Sequence, residues 1–188
     1  MITVQDLRKV GDVAQDCDLR KVNEAINTAI EYDLSELLCG LFFDVEKYLR
    51  GDEEVPERIE KLLNKTYFDD CNGEKYHLGL IHITSLLAYA RYVQINAYHD
   101  SHSGITQKRS DWANFTSNNE LKNYSHPYFN QAKQAFKEVQ NYICKNRDLY
   151  KRYDFSKCAS KCGCSSNCNN NQSTRNGFEA TLIKVERP

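Results

Sequence analysis

Residues 77–98 read HLGLIHITSLLAYARYVQINAY, and this stretch decides the fold. Leu78, Leu80, Ile81, Ile83, Leu86, Leu87, Tyr89, Tyr92, Val93 and Ile95 fall on all sides of a helical wheel. A helix built from them has no polar face to give to water, so it must be buried all round and wrapped by the other elements. His82, Arg91, Gln94 and Asn96 interrupt the run, which makes it a poor membrane span.

Working outward, amphipathic helices precede this segment. Thr3 and Asp6 form a capping-box variant that opens a short helix over 4–10, stopped by Gly11. Asp16 or Asp18 caps the next helix, where Leu19, Val22, Ile26, Ala29 and Ile30 recur at three- and four-residue steps. Leu37, Leu38, Leu41, Phe42, Val45, Tyr48 and Leu49 predict a helix over 34–50, with a break or a tight contact at Gly40. Pro56, behind acidic residues 52–54, suits the first turn of a helix over 56–65. Residues 70–73 read as a turn.

Downstream, residues 99–125 are polar and without period, which predicts a long loop anchored by Trp112 and Phe115. Pro127 then starts a last long helix carrying Tyr128, Phe129, Ala132, Ala135, Phe136, Val139, Tyr142 and Ile143. Leu149, Tyr150, Tyr153 and Phe155 extend its apolar surface. The chain therefore divides into a mainly α-helical bundle over 1–155, a Cys- and Asn-rich extension over 156–177 and a strand-forming arm over 178–188.

The chain has 188 residues, 40% of them hydrophobic and 27% charged, the balance of a globular domain. Its opening, MITVQDLRKV, lacks the basic and apolar regions of a secretory signal and predicts synthesis in the cytosol. The net charge of −1 argues against a dedicated nucleic-acid binder, but it conceals an asymmetry. Residues 1–70 carry 17 acidic and 9 basic side chains, a net of −8, and residues 71–188 carry +7. Unlike patches of this kind suit head-to-tail packing of copies.

Cys158, Cys162, Cys164 and Cys168, spaced C-x3-C-x-C-x3-C, are the sharpest chemical signal. Four thiolates this close can hold Zn2+ tetrahedrally and order a segment that has no core. Disulfides and free thiols are the competing readings. Cys39 and Cys144 sit beside apolar positions and read as small core residues. His77, His82 and the Asp69–Cys71 segment suggest a second metal centre of a metal-dependent enzyme, but a five-residue spacing is poor for one helix face. No G-x-S-x-G, H-E-x-x-H or G-x-x-x-x-G-K-[ST] motif occurs, and 8 glycines leave no phosphate-cradling loop, so the chain is not expected to be an enzyme. Most tyrosines lie at helical core spacing, and the bases Lys145, Arg147, Lys151, Arg152, Lys157 and Lys161 read as a solvated face.

The order of elements resembles a family. AINTAIEYDLSELLCGLFFDVEKYL, KTYFDDCNGEKYHLGL, LLAYARYV, HPYFNQAKQAFKEVQNYI and the terminal LIKVE are similar to the small helical head–tail connector (adaptor) proteins of tailed phages, in particular the type found in phages of Bacteroidetes. The resemblance implies a structural virion protein without catalytic residues. It would form a ring, commonly of twelve subunits, at the head–tail junction after assembly in the host cytoplasm. Its expected partners are copies of itself, the portal protein, the next tail or connector protein and the DNA passing through the channel; no membrane is involved. In this reading Phe178, Leu182, Ile183 and Val185 of the arm contact an adjoining protein, and the cysteine segment is a metal-tightened hinge. The alternative is a zinc-stabilised adaptor or regulatory module unrelated to virions.

Overall fold

A computed structural model describes residues 2–51, 54–70, 73–101, 104–107 and 117–153. The protein is mainly helical. Helix α6 (Leu80–Asn96) forms its middle, and α1 (Val4–Arg8), α2 (Leu19–Thr28), α5 (Glu57–Leu63) and α7 (Asn118–Lys145) pack on it. Leu80 and the whole run from Ile83 to Ala90 are buried, as apolarity on every side requires. Two hydroxyls lie inside this core. Thr84 donates to the Leu80 carbonyl and Ser85 to that of Ile81, each at 2.8 Å, so neither is left unpaired.

α6 begins at Leu80 rather than at 77. Gly79, with φ of +83°, starts the helix, and a Cβ there would stand 2.4 Å from the Leu63 carbonyl oxygen at the end of α5. Only glycine allows this turn this close to the preceding helix. His77 and the residues before it are strand. β1 (Thr66–Asp70) pairs antiparallel with β2 (Gly73–His77), Tyr67 opposite Tyr76. The reading of 70–73 as a turn placed the bend but missed the hairpin around it.

The N-terminal helices follow the expected caps. Asp6 accepts the Thr3 backbone N–H at 3.0 Å, and Asp18 accepts that of Arg20 at 3.0 Å. Pro56 lies just ahead of α5 as its N-cap, not inside its first turn. Helix α2 runs directly into a π-helical segment, Ala29–Leu34, and then α3 (Ser35–Leu38). The wider turn sets Asp33 against α6, where its carboxylate takes two hydrogen bonds from Arg91, at 2.7 and 3.0 Å. Arg91 also lies over the Phe129 ring of α7, 5.5 Å from its centre.

The expected helix over 34–50 is broken. A 3-10 turn, Cys39–Leu41, separates α3 from α4 (Phe42–Arg50), and Cys39 holds a positive φ of 51°. The break is covered by a segment distant in sequence. Residues 147–153 fold back over the break: a Cβ on Gly40 would stand 2.4 Å from the Arg152 carbonyl oxygen, and Arg152 pairs with Asp44 at 2.8 Å. Tyr150 and Tyr153 are fully buried, with Tyr150 donating to the Arg58 carbonyl at 2.7 Å. Leu149, expected to extend the apolar surface, is exposed and donates its backbone to Asn146.

Three further expectations are corrected. Residues 99–125 are not one loop. β3 (Tyr98–Ser101) and β4 (Gly104–Gln107) form a second antiparallel hairpin, and α7 starts at Asn118. Pro127 therefore lies inside α7, which begins at a Ser117–Glu120 capping box. Proline removes one helical hydrogen bond. The turns on either side of it are secured against α6: Gln94 donates to Ser125 at 2.8 Å, and the Tyr128 ring packs 4.7 Å from that of Tyr89. Cys39 and Cys144 are disulfide-bonded rather than free core residues, whereas Cys17 is a free thiol. Trp112, Phe115 and Phe155 lie outside the described residues.

Gly40→Ala is expected to destabilise the protein by about 1–3 kcal/mol, because the new methyl group meets backbone that cannot rotate away. Urea unfolding measures this, and an unchanged midpoint would show that residues 147–153 yield freely.

Candidate docking site

The β1–β2 hairpin has two unlike faces because strand side chains alternate. One face carries Phe68 and His77, which pack on Tyr142 of α7 with ring centres 5.5 and 4.8 Å away. The other carries Tyr67 and Tyr76, 61% and 49% exposed, with ring centres 5.8 Å apart. Lys65 lies over both rings at 5.0 and 4.4 Å, and this cation–π contact holds the pair in place. Asp69 and Glu74 stand opposite each other on the same face, a like-charged pair that weakens an isolated hairpin.

Beside the tyrosines, a groove of about 610 Å3 opens between β2, the start of α6 and the middle of α7. Leu78, Leu86 and Ala135 are its apolar part; Glu74, Lys75, Tyr76, Gln131, Gln134 and Glu138 supply its polar edge. His77 and His82 both line it. His77 is 1% exposed, and neither ring nitrogen meets a hydrogen-bond partner among the described residues. Burial holds its pKa down to about 4 and lowers that of His82 as well, so His77 is neutral at pH 7. Exposed tyrosines beside Leu78, Leu86 and Ala135 give the mixed aromatic and apolar surface that protein–protein contacts favour.

The residues singled out from the sequence fare unequally. His77 and His82 share this groove although they sit on different elements, and Asp69 is across the hairpin from Glu74. No group of three potential metal ligands forms among the described residues. Cys158, Cys162, Cys164 and Cys168 and the arm residues Phe178, Leu182, Ile183 and Val185 lie outside the described residues, as do Cys71, Lys157 and Lys161. The basic cluster is not simply solvated: Lys145 donates to the Asp69 carbonyl, and Arg152 pairs with Asp44. Arg91–Asp33 and Arg152–Asp44 join the basic and acidic parts of the chain, so part of the charge asymmetry is neutralised within one molecule. Tyr67 and Tyr76 escaped the sequence reading, although alternation in TYFDD and GEKYH was the available signal.

The chain belongs to a family of unknown function (DUF6712), whose model matches residues 37–163. The match takes in the break at Cys39, both hairpins, α6 and α7, with the groove between them. No curated protein and no solved structure matches the chain. No helix among the described residues is long and apolar enough to cross a membrane.

The buried imidazole sets a pH dependence. With a folded pKa near 4 against an ordinary 6.5, the stability His77 contributes is complete above pH 6.5 and is lost as pH falls toward 4. Its share of the loss between pH 7 and pH 5 is about 2 kcal/mol. His77→Phe should flatten the urea midpoint over this range relative to wild type; equal slopes would show that His77 finds partners in solution.

Proposed function

We propose that the chain is a structural virion protein, a subunit of the ring that joins the portal of a tailed phage to its tail. The exposed Tyr67–Tyr76 pair beside the groove carries this reading, because a surface of that composition favours assembly. The resemblance of α6, the hairpin before it and α7 to small head–tail connectors points the same way. The helical bundle is the body that packs beside its neighbours. The arm with Phe178, Leu182, Ile183 and Val185 reaches the adjoining protein, and the Cys158–Cys168 segment, drawn together by zinc, presents it.

Negative-stain electron microscopy of the full chain, alone and mixed with the portal protein of the same phage, tests the proposal. Rings with a central channel, free or seated on the portal, are expected. Dispersed monomers under both conditions would refute it. Deleting 178–188 should leave the helical signal in circular dichroism intact while abolishing attachment to the next protein; normal attachment would exclude the arm.

A further inference from the structure

The β1–β2 hairpin is seated on the bundle through a contact that has no place for a charge. Its two roots meet: a Cβ on Gly79 would stand 2.6 Å from the Asn64 carbonyl carbon, so the chain leaves α5 and enters α6 at one point. The Thr66 hydroxyl donates to the Lys61 carbonyl at 2.8 Å and pins that base. From there the hairpin lies on α7 through Phe68 and His77, which pack on Tyr142, and through Lys145, which donates to the Asp69 carbonyl. Its outer face, with Tyr67 and Tyr76, already stands in water. We propose that the hairpin is an acid-released latch: a proton taken up by His77 swings it off α7 about the joint at Asn64 and Gly79, while the helical bundle stays folded.

The neutral ring fits this seat and the imidazolium does not. His77 is 1% exposed, and neither nitrogen meets a hydrogen-bond partner among the described residues. A cation there is a buried, unpaired charge. The groups around it offer no compensation. Thr66 of β1 stands opposite His77, while Asp69 and its partner Glu74 belong to the outer face. Lys75, on the inner face of β2, is a like charge. Tyr142 of α7 meets the imidazole tilted by 54° rather than face-on. His82 of α6 and Glu138 of α7 line the groove without bonding to the ring, and the other nearby charges, Lys61 of α5 and Lys145 of α7, are cations. Burial alone holds the pKa at about 4.

Relief requires water at the ring, and the hairpin is the element that yields. α7 cannot lift away without uncovering Ala132, Phe136, Val139 and Ile143. The hairpin gives up chiefly the partly buried Phe68 and His77 itself.

Hydrogen–deuterium exchange of the full chain tests the latch. It is read on peptides covering 66–77 and 83–90 at pH 7 and pH 5, corrected for the intrinsic pH dependence of amide exchange. An ordinary pKa of 6.5 in the open state against about 4 in the closed one raises the open fraction about twentyfold between these pH values. Hairpin amides should lose protection by that factor, starting from a level below that of α6, and their exchange should not respond to urea below the unfolding transition. In His77→Phe the loss should shrink to less than about threefold; His77→Leu takes its place if the phenylalanine variant does not fold. Equal protection of hairpin and α6, with the same urea response, overturns the latch, because the hairpin then opens only with the whole molecule. An undiminished acid response in the variant overturns His77 as the trigger.

Discussion

The structure depends on a helix that has no side for water. Every face of α6 from Ile83 to Ala90 is buried, so the other helices are arranged by the need to cover it. Each fully buried Leu or Ile contributes about 1.5–3 kcal/mol over an exposed one, far more than the few tenths of helical pairs on the surface. The polar groups that α6 itself brings to this core are paired. Thr84 and Ser85 bond to their own helix, and Arg91 meets Asp33 through the π-helical turn. Removing the arginine alone would leave a half-buried carboxylate facing the core, which is why the wider turn at Ala29–Leu34 and α6 are coupled.

The same demand organises the ends of the chain. Residues 147–153 close over the gap between α3 and α4, and the contact of Arg152 with Gly40 and Asp44 links the last described turn to the N-terminal half. The cysteines are drawn into this arrangement as well: Cys39 sits at the break and Cys144 at the end of α7, and both are disulfide-bonded.

What remains outside follows from what α6 cannot cover. β1–β2 enters α6 through the tight turn at Gly79, so one face of the hairpin is pressed on Tyr142 and the other, with Tyr67 and Tyr76, is left in water. The groove beside it lies where β2, α6 and α7 meet, among the described residues. His77, neutral at its back and without a hydrogen-bond partner among the described residues, is a buried polar group that core packing alone does not explain. Tyrosines, a partly apolar cleft and an exposed phenylalanine elsewhere on the chain leave aromatic surface facing water.

Composition and periodicity were enough to read the helical class, the central place of 77–98, the caps at Thr3 and Asp18 and the break near Gly40, because each rests on residues close together in the chain. The hairpins, the π-helical turn and the true start of α7 were not legible, because they are decided elsewhere. Pro127 reads locally as a helix start, and only the packing of Tyr124, Ser125 and Tyr128 against α6 carries the helix through it. TYFDD and GEKYH are too short to declare themselves strands until Phe68 and His77 find Tyr142, 65 or more positions away. The docking groove likewise joins residues 74–86 to residues 131–138. By itself the sequence determined which helix must be buried, since hydrophobicity is a property of each side chain. The tertiary structure alone decided which surfaces were left uncovered, since exposure is set by what the rest of the chain brings against them.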